Sequence, residues 1–163
     1  MSDEIEILSK LNELSALSPK GFAIAYQIQL TTPGYLFQNY SEAWNKYYSE
    51  NGMVMSDPTV LWGFENEGTV LWSALGDLDH KNMMGKAAKF GLRYGVTWAH
   101  STGDSRSIGS FARDDREFVP KEITELVKLA TQIHDLTLDR TRLSDRDMMQ
   151  ILDAGFSASQ TVG

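Results

Sequence analysis

The chain has 163 residues, 42% of them hydrophobic and 23% charged, the make-up of one soluble globular domain large enough to bury a real core. It has no cysteine, which excludes disulfides, thiolate metal sites and cysteine nucleophiles and suits a cytoplasmic protein. Fifteen basic against 22 acidic residues give a net charge of −7, so nucleic acid receives no general electrostatic attraction; with no signal-like start and no membrane-length apolar run, no membrane partner is expected.

In chain order, residues 2–17 read as an amphipathic helix capped by Ser2, with acids in its first turn and Ile5, Leu8, Leu11 and Leu14 at helical spacing. "SPKG" (18–21) breaks it. Phe22, Ile24, Tyr26, Ile28 and Leu30 then alternate as a half-buried strand, Thr32-Pro33-Gly34 turns, and "YLFQNY" returns as its antiparallel partner. Ser41 caps a helix that Asn51-Gly52 ends, and Tyr40, Trp44 and Tyr48, spaced four apart, are expected on one face of it. Pro58 biases Asp57 to an extended backbone. "TVLW" (69–72) reads as a strand and 79–90 as a helix closed by Gly91. "YGVTWAH" and "SIGSFAR" form a hairpin about "STGDSR". Pro120 opens a long helix with Ile123, Leu126, Val127, Ala130 and Ile133 inward, and a last short helix starts near Ser144 and ends before Gly155. About five strands in hairpin-like connections, with helices before, between and after, predict an antiparallel sheet covered on both faces.

Catalytic constellations are scarce. His80, His100 and His134 share no metal-ligand spacing and are expected at the surface rather than as ligands. No G-x-S-x-G elbow or phosphate loop is present, and the acids of "DLDH" (77–80) read as first-turn residues of a helix. A small hydrolase stays open as a reading, but no residue set singles it out.

The aromatic residues say more. Tyr40, Trp44 and Tyr48 precede Asp57-Pro58, and Trp72 follows fifteen residues after Asp57. Two readings stand side by side. In one, Asp57 caps or braces a turn and the rings are core. In the other, they wall a closed pocket in which one carboxylate accepts an N–H while an indole and phenols donate to carbonyls, a match for a small ligand with an amide and an ester.

The ordered set Y-x3-W-x3-Y, D-P, a Trp fifteen residues on, then "GLRYGV" (91–96) resembles the ligand-binding domain of LuxR-type quorum-sensing regulators, from about Gly21 to Asp135. The resemblance implies an α/β fold, an α-β-α sandwich with a central five-stranded antiparallel sheet flanked by helices. It implies no enzyme and no cofactor, but an N-acyl-homoserine lactone ligand. Trp44 matches the indole donor to the lactone carbonyl, Asp57 the acceptor of the amide N–H, and Tyr40 the hydroxyl that meets the amide carbonyl. Trp72 matches the ring against the lactone, Tyr48 a second pocket aromatic and Thr59 a hydroxyl near the amide. Tyr26, Ile28, Leu30, Leu36, Val60, Met83, Ala87 and Leu92 fall where the acyl chain is walled.

Departures from the family pattern are specific. Ala99 stands where the family's "GV-x-x-P" has proline, and Ala112 where the last strand often supplies a hydroxyl; Ser110, two residues earlier, faces the same side. Residues 1–137 are read as the autoinducer-binding domain and 138–163 as linker plus the truncated start of a helix-turn-helix domain, opened by "LSDRDMMQILDAGFSASQ". Without a recognition helix this chain is not expected to bind DNA. The expected partners are the autoinducer and a second chain, either a copy of itself or a full-length LuxR-type regulator, joined through helix 120–137. The sequence is read as either a piece of a longer regulator or a short form. A short form acting as an interaction module or anti-activator without a lactone is the alternative function.

Overall fold

A computed structural model describes residues 3–30, 32–138 and 143–161, with side chains from Glu6 onward. The proposed cap at Ser2 lies outside the described residues, as does the side chain of Ile5. Helix α1 (Asp3–Leu17) leads into β1 (Phe22–Ile28) and β2 (Tyr35–Gln38). Next come α2 (Glu42–Glu50), α3 (Pro58–Glu65), β3 (Gly68–Leu71) and α4 (Met83–Ala88). The chain continues through β4 (Tyr94–Thr102), β5 (Ser105–Arg113), α5 (Pro120–Leu138), α6 (Asp145–Asp153) and β6 (Ser157–Gln160).

The strands make one antiparallel sheet in the order β3-β4-β5-β1-β2-β6. The expected α-β-α sandwich is what forms, with six strands instead of five. Helices α1, α5 and α6 cover one face, and their apolar stripes meet Phe22, Ile24, Tyr26, Phe37, Val96, Trp98 and Phe111 in the main core. The segment between β2 and β4 covers the other face, packing Trp44, Met53, Trp72, Leu75, Met83, Ala87, Leu92 and Ala112 into a second cluster.

Residues 143–161 pack onto the rest of the fold. Leu143, Ile151 and Phe156 are buried in the main core, and β6 pairs with β2 from Tyr35↔Gln160 to Gln38↔Ser157. Ser144 and Asp147 form a capping box at the start of α6, a local signal that is equally compatible with either assignment. "SASQ" carries no apolar alternation, so it is the open backbone edge of β2, not its own side chains, that makes it a strand.

Strand β1 ends sooner than its alternation predicts. Gln27 adopts φ 56 and the pairing with β5 shifts between Ala25 and Ile28, a bulge that reverses which side chains face which side. Gln27 thereby points under α5. Its amide donates to the His134 carbonyl at 2.8 Å and to Thr137 Oγ1 at 3.0 Å. Ile28 is turned to the opposite face, beside Ala99 and Ile108.

Candidate functional site

The second face does not close on itself. Between it and helices α2–α4 lies a cavity of about 460 Å³, in the size range of small-molecule sites. Its floor is a run of small side chains, Ala23 and Ala25 on β1 with Gly109 and Ser110 on β5. Its walls are Tyr40, Trp44, Tyr48, Thr59, Val60, Trp72, Met83, Ala87 and Leu92.

Local sequence chemistry places each polar group. Ser41 caps α2 by accepting from Trp44 N–H, so Tyr40 precedes the helix instead of sharing its face; the chain entering the cap still brings it beside the other two rings. Trp44 packs 5.8 Å from the Tyr48 ring and edge-on to Phe90 at 5.3 Å. Asp57 is the N-cap of α3, with Pro58 in the first turn, and its Oδ1 accepts from Thr59 N–H at 2.8 Å and Thr59 Oγ1 at 2.7 Å. Tyr48 donates its hydroxyl to Asp57 Oδ2 at 2.9 Å. Asp57 thus braces a turn and lines a cavity at once. It is buried, which pushes its carboxyl up against the lowering effect of these hydrogen bonds. Burial also raises the Tyr40 and Tyr48 hydroxyls, with the Asp57 charge adding to both.

Trp72 follows β3 in a 3-10 turn. Its ring lies flat on β4 over Gly95, where a Cβ would come within 2.1 Å of it. The indole donates to Thr97 Oγ1 at 3.1 Å, and Thr97 shares a hydrogen bond with Ser110 at 2.8 Å. Tyr40 donates its hydroxyl to the Ser110 carbonyl at 3.2 Å. Indole, phenol and hydroxyl therefore converge on Thr97 and Ser110, paired across β4 and β5.

Of the residues picked from sequence, Ile28, Leu36, Tyr40, Trp44, Tyr48, Asp57, Thr59, Val60, Trp72, Met83, Ala87, Leu92 and Ser110 come together around this cavity. Three do not line it. Tyr26 lies on the other face, donating its hydroxyl to the Ala130 carbonyl at 3.0 Å, because the alternation of β1 sends it there. Leu30, at φ 60 in the turn after the bulge, is 94% exposed. Ala112 is buried one layer behind, among Trp44, Trp72 and Leu92. The cavity also uses Ala23, Ala25, Pro33 and Gly109, which sequence inspection missed; small residues alternating along β1 were the available signal.

His134 is another correction. It is fully buried on the inner face of α5, with Nδ1 2.7 Å from Ser107 Oγ and Nε2 3.1 Å from Thr102 Oγ1. Burial, then the neighbouring His100, lowers its pKa. His100, His134 and Asp135 bring their ligand atoms within 4.8 Å of one another, but both His134 nitrogens already serve the sheet. Among the described residues no helix is long and apolar enough to cross a membrane.

Fold and cavity define a ligand-binding domain, and residues 27–136 match the autoinducer binding domain family. The chain belongs to that family, the sensor domain of LuxR-type quorum-sensing regulators, whose members are ligand-binding regulatory domains. It is 28% identical over 102 residues to the transcriptional activator protein LuxR of Aliivibrio fischeri, a match that covers 59% of this chain and 41% of LuxR. The chain thus spans well under two thirds of that relative. Two solved structures share the fold. CepR2 from Burkholderia cenocepacia, an N-acylhomoserine lactone dependent LuxR family factor, has a TM-score of 0.59 and 18% identity over 93% of this chain and 99% of that one. Escherichia coli SdiA has a TM-score of 0.62 and 20% identity over 95% and 74%. SdiA has also been solved in complex with octanoyl-rac-glycerol, at a TM-score of 0.58 and 21% identity over 95% and 72%.

Proposed function

We propose that the chain is a sensor that binds an N-acyl-homoserine lactone reversibly in the cavity of the second face. The observation that carries this reading is Asp57: an acceptor-only carboxylate, 6% exposed, held at the wall of a largely apolar cavity. Burial opposes its charge against the hydrogen bonds from Thr59 and Tyr48, and a ligand N–H would add a partner to it. Trp44 and Tyr40 stand on the same wall with donors suited to the two carbonyls of an acylated lactone. Tyr40 would exchange the Ser110 carbonyl for the ligand's, and a head group offering no carbonyl to the Trp44 indole would forfeit roughly 1–3 kcal/mol. Nothing in the arrangement needs bond chemistry, so reversible recognition accounts for the whole wall.

In this reading the dimer partner, a second copy or a full-length regulator, docks through α5, and the chain itself makes no DNA contact. The test is thermal unfolding with a panel of acyl-homoserine lactones. A ligand at a hundred times its Kd stabilises by about 2.7 kcal/mol. Asp57→Asn and Trp44→Phe should weaken binding selectively. Absence of a shift with every lactone, in protein shown to be folded, would overturn the reading and favour the lactone-independent interaction module.

A further inference from the structure

The two ends of the cavity differ. Around Trp44 and Trp72 it is sealed: both rings are buried, Met83, Ala87 and Leu92 complete the lining there, and Ala112 packs behind them. Beneath Gly63 of α3 the cavity is also stopped. Gly63 lets that helix sit so close on β5 that a Cβ there would be 2.6 Å from Ile108, and Ile28, Ala99 and Ile108 plug the space beneath. The remaining rim lies between β2 on one side and the segment that joins α2 to α3, with the C-terminal end of α3, on the other. There the lining residues are large, apolar and open to solvent: Leu36 is 38% exposed, Val54 51% and Phe64 40%. Pro33 completes that rim.

Exposed apolar side chains that also line a cavity are an unmet contact surface. A short acyl group held at Asp57 would leave them wet; a long one would cover them. We infer that this domain prefers a long-chain acyl ligand, whose tail leaves the closed head-group end and runs out through the gap between Leu36 and Phe64. The inference rests on the head-group reading above, and it names the class of acyl chain rather than the head group. The small-residue floor of Ala23, Ala25 and Gly109 leaves room for that path above the sheet.

The test is a titration of the purified domain with saturated N-acyl-homoserine lactones of four to sixteen carbons, followed by tryptophan fluorescence or calorimetry. Each methylene buried along the path is expected to lower Kd about fourfold, from a transfer free energy of about 0.8 kcal/mol. The gain should continue beyond eight carbons and level off once the tail passes the rim. Phe64→Asp, at a solvent-open position, should weaken the longest chains at least tenfold while leaving short-chain affinity unchanged. An affinity maximum at short chains, or an equal loss across the series in Phe64→Asp, would overturn this inference and leave the lactone reading standing. No binding at any length would remove both.

Discussion

Along β1, Phe22, Ile24 and Tyr26 are completely buried beneath α1 and α5, whereas Ala23 and Ala25 between them floor a cavity on the other side. One strand thus serves a finished core on one face and an unfinished one on the other. The finished face satisfies its polar groups internally: Tyr26 donates to the α5 backbone, and Gln27, Ser105, Ser107, His134 and Thr137 join in one network. The unfinished face leaves aromatic and carboxylate groups around open space. The two faces therefore differ: the first is closely packed, and the second surrounds a cavity.

The sharpest way to break that comparison is a truncation on each face. Phe111→Ala removes a fully buried ring from the main core and should lower stability by about 3–5 kcal/mol, read as a shift of the urea midpoint at unchanged slope. Asp57→Asn on the cavity side keeps an oxygen for the Thr59 N–H at the α3 cap and should cost the unliganded protein only about 1 kcal/mol, while weakening lactone binding by about ten- to a hundredfold, the loss of a charged hydrogen bond of roughly 1.5–3 kcal/mol. Equal destabilisation by the two would mean that the faces are not separable. His134→Ala lies between them: it strands the hydroxyls of Ser107 and Thr102 and should cost about 1–3 kcal/mol without altering lactone affinity.

The smallest effect concerns two carboxylates with opposite pH signatures. Glu122, at the start of α5, accepts from Arg116 and from Val119 N–H, which hold its carboxyl down to about 2. Its folded value lies below the unfolded one of 4.5, so its contribution is present above about 4.5 and lost as pH falls toward 2. Burial raises Asp57 above 3.8. There the folded state holds the proton more tightly, so stability is highest below 3.8 and falls as pH rises through the folded value. Glu122→Gln should therefore lose about 1 kcal/mol at neutral pH, a difference that disappears at low pH. Asp57→Asn should instead remove a decline with rising pH. Urea titrations at a series of pH values would reveal both slopes, and the same sign in both variants would contradict these environments.

Much of this molecule was legible in the chain. The caps at Ser41 and Ser144, the Asp57-Pro58 step, the hairpin of β4 and β5 and the inward stripe of α5 are short-range patterns. Each acts through hydrogen bonds or spacing within a few residues. The aromatic set was legible by resemblance, since its order survives along the sequence. The failures share a different cause. The resemblance grouped Tyr26 and Leu30 with Ile28, but Tyr26 precedes Gln27, where a left-handed residue reverses the faces, and Leu30 lies in the exposed turn after it. His134 read as surface because its partners Ser107 and Thr102 are distant in sequence. Strand β6 was missed because the partner edge of β2, rather than "SASQ" itself, makes it a strand.

By itself, then, the sequence determined the antiparallel sandwich, the cladding helices other than α3 and the group of polar aromatics with one acceptor between them, because periodicity and caps are local. Tertiary structure alone decided which face of β1 each residue serves, that residues 143–161 return to the sheet, and where the cavity is sealed and where it opens. Those outcomes depend on a bulge, an unpaired strand edge and the close approach of Gly63 to Ile108, contacts that exist only once the chain is brought together.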